Sequence, residues 1–213
     1  MEAFLMIPVL LFSVIVHEVA HGYVAYRCGD NTAKLQGRLT FNPLPHIDLF
    51  GTVIFPLILL MTNSSFLIGW AKPVPVNPLQ MRNPQRHHFY VSLAGIVANI
   101  GLALVCTFIY GIYVNLMRPA SMQDPLLIML NYGIYINILL AVFNLMPVPP
   151  LDGSWVLYHL LPAQLANEYR KLFPYGMILL LVLVATGMIH KIMTPVFMFV
   201  MSILNTLLNL IVH

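Results

Sequence analysis

Six apolar stretches, at roughly 3–26, 48–62, 88–117, 125–146, 173–189 and 192–212, take up most of this 213-residue chain, and no water-soluble fold can hide them all. A helix that crosses a bilayer needs about 20 apolar residues, a length that only the run at 48–62 falls well short of. Charged residues make up 8% of the chain, against about 25% in an ordinary soluble domain. The expected fold is therefore an all-α polytopic membrane protein with about five to six transmembrane helices. The net charge is only +3, with the basic residues scattered singly, which excludes a nucleic-acid-binding face. Two cysteines, Cys28 and Cys106, are too few and too far apart for a disulfide scaffold or a thiolate metal site. The apolar run at 3–16 has neither a cationic leader nor a small-residue cleavage site, so it reads as a retained helix rather than a signal peptide. We expect one integral membrane domain over 1–213, with a core at 1–162, C-terminal helices at 173–212 and no soluble module at either end.

The segments between these runs carry strong local signals. Residues 32–41 alternate in polarity, with Lys34, Gln36, Arg38 and Thr40 set against Leu35, Leu39 and Phe41; a period of two predicts a short β element. Residues 69–78 contain Pro73, Pro75 and Pro78, which force extended backbone on themselves and their predecessors. The run Pro147-Val-Pro-Pro150 stops the helix ending at Met146, and Leu151-Asp152-Gly153 opens a short segment at 154–161 suited to the membrane surface.

The chemistry concentrates at His17-Glu18-Val19-Ala20-His21, an H-E-x-x-H pattern within a helical apolar run. Residues four apart share a helix face, so both imidazoles reach one ion while Glu18 sits beside it, placed to take a proton from a water the metal has acidified. Two histidines and a glutamate at membrane depth are costly, which marks them as functional. A catalytic zinc takes three protein ligands and keeps one open position. Of the seven acidic residues, only Asp152 follows a proline-broken membrane helix, in Asn144-Leu-Met-Pro-Val-Pro-Pro-Leu-Asp152-Gly153. Its position equally suits an N-cap for 154–161; beside the histidine pair the ligand assignment prevails. Asn144 has two open roles, a hydrogen-bond donor to an oxyanion or a structural amide between helices. Asn137, on the same face, reads as structural. Ala94, Gly95 and Ala98 give close helix packing near the site. His46 and Asp48 read as loop polarity, His87 and His88 as membrane-boundary residues, and Trp70 and Trp155 as interface or packing residues.

These residues carry a family likeness. His17-Glu18-Val-Ala-His21-Gly22, Gly37-Arg38-Leu-Thr-Phe-Asn42-Pro43, Gly69-Trp-Ala-Lys-Pro-Val-Pro-Val-Asn77-Pro78, Leu93-Ala-Gly95-Ile-Val-Ala-Asn99 and Asn144 through Asp152-Gly153 together resemble the site-2 proteases, intramembrane zinc metalloproteases of peptidase family M50. The likeness covers about residues 10–160 and points to the compact subclass without PDZ or CBS domains. It implies one zinc per chain and hydrolysis of peptide bonds within single-span membrane protein substrates, in the lipid bilayer of the cell membrane. His17, His21 and Asp152 match the family's metal ligands, Glu18 its catalytic base, and Asn144 its asparagine assigned to substrate or oxyanion contact. Ile96 stands where the family has proline, and Ser154 where it has a second glycine.

Parity gives a topology. The end of the first helix and Asp152 must share a side, so 48–77 should enter and return as a re-entrant hairpin. Arg27, Lys34, Arg38, Lys72, Arg82, Arg86, Arg170 and Lys171 then lie on one side, against Arg118 and Lys191 on the other. The positive-inside rule makes the first side cytoplasmic, with the active site opening toward it. The β element and the extended segment near 72–77 are expected to hold an unwound substrate by edge pairing. A membrane ion transporter and a silent helix-binding receptor are the competing readings; a transporter calls for symmetric repeats, absent here, and a receptor has no use for Glu18.

Overall fold

The structure, a computed structural model, describes residues 2–54, 58, 61, 71–118 and 123–212. Its helices are α1 (Glu2–Arg27), α2 (Thr32–Leu35), α3 (Pro84–Met117), α4 (Pro125–Leu145), α5 (Asp152–Leu160), α6 (Ala163–Arg170), α7 (Gly176–Ala185) and α8 (Met188–Ile211), and no strand occurs among the described residues. Local chemistry sets their ends. Asn83 caps α3 by accepting the Arg86 N–H, and Asp124 caps α4 by accepting the Leu126 N–H, each followed by proline at the first helical position. Pro147 has no N–H to continue α4.

Among the described residues, four helices are long and apolar enough to cross a membrane: Phe4–Arg27, Pro84–Met117, Pro125–Leu145 and Met188–Ile211. Their outward faces stay apolar. Val97, Ile100, Phe108 and Ile112 on α3 and Met198, Phe199 and Ile203 on α8 are all exposed, far more than a soluble monomer leaves in water. The chain is an integral membrane protein. Inside, α3 packs against both α1 and α4, and Ala103, Ile134, Ile138, Val142, Met146 and Leu151 form one core with Met193 and Leu204 of α8.

That core also fixes the direction of α8. Met193, in its second turn, belongs to the same core as Met146 and Leu151, Phe197 meets Tyr135 at 4.9 Å between ring centroids, and the Ile211 carbonyl accepts from Asn115 at the end of α3. Helix α8 therefore starts at the face where α1 ends. The expected span at 173–189 is corrected. Gly187, with φ of +69°, stops α7 after ten residues, about 15 Å of helix against a hydrocarbon core of about 30 Å. Lys191 accordingly joins the basic residues at the near face, leaving Arg118 at the far end of α3.

The β element expected at 32–41 is also corrected. Thr32–Leu35 is a single helical turn, and Gly37, with φ of +65°, reverses the chain. Arg38, which a strand would turn outward, is 5% exposed and donates to the Lys72 and Pro73 carbonyls. Residues 71–77 are extended, as the prolines require, but pair with no strand. Residues 55–57, 59–60 and 62–70 of the hairpin expected at 48–77, Trp70 among them, lie outside the described residues; Leu49–Ile54 is a π-helical turn. The Lys72 N–H donates to the His46 carbonyl at 2.9 Å, so the chain leaves and returns at one place.

This arrangement has a direct check. In a chain with Cys28 and Cys106 replaced by alanine, single cysteines introduced by Arg82→Cys and Lys191→Cys should react with an impermeant maleimide from the same side of sealed vesicles, and Arg118→Cys from the other. Labelling of position 191 together with 118 would restore the extra crossing.

Candidate metal centre

Helix α1 carries His17 and His21 one turn apart, and the proline break after α4 swings Asp152, the first residue of α5, back toward them. The N-cap of α5 is Leu151, so Asp152 is free of the capping role that its sequence position also suited. The His17 and His21 Nε2 atoms stand 3.0 Å apart, and Asp152 Oδ2 lies 3.1 Å from the first and 3.2 Å from the second. Both histidines are buried.

The outer ring nitrogens decide what these three atoms are. His17 Nδ1 lies 2.6 Å from Asn99 Oδ1, and His21 Nδ1 lies 2.7 Å from the Val91 carbonyl oxygen. Oxygen acceptors at both Nδ1 positions put the hydrogen there and leave Nε2 as a lone pair on each ring. Asp152 Oδ2, in turn, is buried without a hydrogen-bond donor. Two lone pairs and a carboxylate oxygen thus face one another in an apolar interior, a cost that a cation removes. Tetrahedral zinc with ligands at about 2.0–2.1 Å spaces its donors about 3.3–3.4 Å apart, close to what these side chains show. His17, His21 and Asp152 are the group of metal-competent side chains that the fold brings together among the described residues.

Small residues make the convergence possible. A Cβ on Gly95 would fall within 2.6 Å of both imidazoles, so α3 can back the pair only with glycine there. On Gly153 it would run into the Leu145 carbonyl, and on Gly22 it would meet Leu39 and Val74 within 2.8 Å.

Glu18 lies outside the triangle. Its Oε2 accepts the Val74 N–H at 2.7 Å, tying it to the extended segment 71–77. Three residues not assigned a role from the sequence brace that segment: Arg38 from below, the buried Asp30 through the Asn77 N–H at 2.6 Å, and His46 through its carbonyl. Arg38 stood in one of the family-like motifs and His46 read as loop polarity though it is buried, whereas Asp30 shows no signal before the chain is folded. Asn144 sits in the last turn of α4, and its amide donates to the Leu140 carbonyl of its own helix at 3.0 Å. It makes no hydrogen bond to the three converging side chains among the described residues. His88 pairs with His159 at 2.9 Å and stacks edge-on against Trp155; burial pushes the His159 imidazole below its usual range. Cys28 and Cys106 are unbonded and half-buried, and burial pushes the Cys28 thiol up.

Known proteins resemble this chain over most of its length. The model of peptidase family M50 matches residues 113–184. Over 188 residues the chain is 37% identical to "Putative zinc metalloprotease YwhC" of Bacillus subtilis, which covers 87% of this chain and 82% of that one. Two proteins described in the same words and named Rip2 also match. The one from Mycolicibacterium smegmatis is 28% identical over 189 residues, 85% of this chain and 66% of its own. The one from Mycobacterium tuberculosis is 30% identical over 182 residues, 83% of this chain and 65% of its own. The chain thus spans just under two thirds of the mycobacterial relatives. No solved structure matches.

The glycine constraint gives a paired test. Gly95→Ala should weaken divalent-metal binding by about 10- to 100-fold, the range for disturbed support of a ligand. Gly101→Ala, where nothing lies within 4 Å of the added Cβ, should leave binding unchanged. Equal affinities in a chelator competition would remove Gly95 from the site.

Proposed function

This chain belongs to peptidase family M50, and we propose that it is an intramembrane zinc endopeptidase of the site-2 protease type, cutting the transmembrane segments of single-span membrane proteins. One observation carries the reading: Asp152, just past one membrane-crossing helix, converges with His17 and His21 inside another, with a glutamate one residue from the first histidine. These three residues hold one zinc per chain. Bound zinc supplies a Lewis acid that acidifies water and polarises the scissile carbonyl.

The remaining work falls to the chain. Glu18 takes the proton of the attacking water and returns it to the leaving amine. Val74 holds one of its carboxylate oxygens, which aims the other. Asn144 spends one amide hydrogen on Leu140 and offers the second to the substrate or the oxyanion. A substrate helix must unwind first, since its peptide bonds are shielded. The extended segment 71–77, anchored beside Glu18 by its own backbone, offers an edge against which an unwound chain can lie.

The site opens to the cytoplasm in this reading. Of the ten lysines and arginines, all but Arg118 belong to segments at the end where α1 finishes, and the positive-inside rule turns that end inward. The contact between Lys72 and His46 favours a re-entrant path for the residues between them. The cell membrane is the proposed location, and 1–213 acts as a single domain.

The test is reconstitution with a panel of single-span substrates, with and without chelator. Glu18→Gln should lower cleavage by about 10²–10⁴-fold while zinc content holds; cleavage that survives this change, or a chelator, contradicts the reading. Asn144→Ala should lower kcat by about 10²-fold, and an unchanged kcat would make Asn144 a structural amide.

A further inference from the structure

We propose that Asn99, Asn137 and Ser13 are positioning residues that fix His17 as an Nε2 ligand, through a hydrogen-bond relay crossing three helices. The proposal rests on the zinc reading above and extends it to residues that touch no metal. Ser13 is 1% exposed and Asn99 and Asn137 are each 0% exposed, so bulk water reaches none of them.

The sense of every bond in the relay follows from two backbone carbonyls. The Gly133 carbonyl can only accept, so Asn137 must turn its Nδ2 toward it, at 2.7 Å. That leaves Asn137 Oδ1 facing Asn99, which must present Nδ2 to it, at 2.7 Å. Asn99 Oδ1 is then left for His17 Nδ1, at 2.6 Å, which must carry the hydrogen. The second anchor agrees with the first. Ser13 Oγ donates to the Val9 carbonyl at 2.8 Å, so it accepts the other Nδ2 hydrogen of Asn137, at 2.9 Å. With both ends fixed, flipping either amide would set oxygen against oxygen or N–H against N–H in a buried site. His17 is held in the tautomer whose Nε2 lone pair points at Asp152 and His21.

The two histidines differ in this respect. His21 rests on the Val91 carbonyl, whose sign no neighbour can change. His17 rests on a side-chain amide, which has two orientations and therefore needs orienting. The relay leaves α1 at His17, passes through α3 and α4, and returns to α1 at Ser13 and Val9, one and two turns before it. Simple glue between membrane helices would not require this consistent sense of donation.

The experiment measures zinc affinity by chelator competition in detergent, with thermal stability alongside, for the parent chain and for Asn99→Leu, Asn99→Asp, Asn137→Leu and Ser13→Ala. Nitrogen-15 spectra of histidine in the metal-free protein report the His17 tautomer directly. Asn99→Leu should weaken zinc by about 10- to 100-fold, and Asn99→Asp, which still accepts from Nδ1 but sets its second oxygen against Asn137 Oδ1, should recover only part of that loss. Asn137→Leu should weaken zinc toward the lower end of the same range without touching an imidazole. The metal-free parent should show His17 with hydrogen on Nδ1, and Ser13→Ala, which leaves the Gly133 anchor in place, should keep that tautomer and weaken zinc least of the four. Unchanged affinity in Asn99→Leu and Asn137→Leu overturns the proposal, as does an Nε2–H tautomer in the metal-free parent. A parent that binds no zinc would instead defeat the functional reading, and the tautomer spectra would still decide this one.

Discussion

Two imidazole nitrogens and one carboxylate oxygen stand within 3.2 Å of one another, with no hydrogen directed into the space they share. Such a cluster is unfavourable in an apolar interior unless a cation sits in it. Much of the surrounding fold exists to enforce this arrangement. Gly95 lets α3 lie directly behind the two rings, Asn99 and the Val91 carbonyl hold their outer nitrogens, and the break after Met146 aims Asp152. The charge requirement and the packing requirement are met by the same few residues.

The membrane shapes how those residues reach one another. Asp152 is far from His17 in sequence, yet α4 delivers it to the end of α1 because α3 and α4 form one up-and-back pair. The ligands lie inside the bundle, while the extended segment 71–77 comes in from the same face and seats its Val74 N–H on Glu18. The three metal-competent side chains, Glu18 and the segment 71–77 thus meet at one end of the apolar helices, which under the proposed function suits hydrolysis of a peptide that has left its helical form. Arg38, Asp30 and His46 matter because each braces that segment through its backbone.

The convergence of His17, His21 and Asp152 was legible because its signals are local. The four-residue spacing of His17 and His21 needs only a helix, and the prolines before Asp152 mark where a carboxylate can turn inward. The spans α3 and α4 were legible for the same reason, being long and ended by cap residues and prolines. What failed were inferences from short windows. The alternation at 32–41 mimicked a strand, but a strand needs a partner that the window cannot supply, and Gly37 turns the chain instead. The run at 173–189 had the composition of a span, yet Gly187 cuts it to half the needed length and sends α8 across alone. The Asn99–Asn137 relay joins three helices, so no single stretch of sequence reveals it. Asn137 was rightly seen as structural, but its link to His17 depends on how α3 and α4 face each other.

X-ray absorption at the zinc edge of the purified parent chain tests the central claim most directly. The account predicts one zinc per chain, with two imidazole nitrogens and carboxylate or water oxygen at about 2.0–2.2 Å, and loss of that signal when Asp152 becomes alanine. A sample without stoichiometric zinc, or with sulfur scatterers at about 2.3 Å, would contradict it.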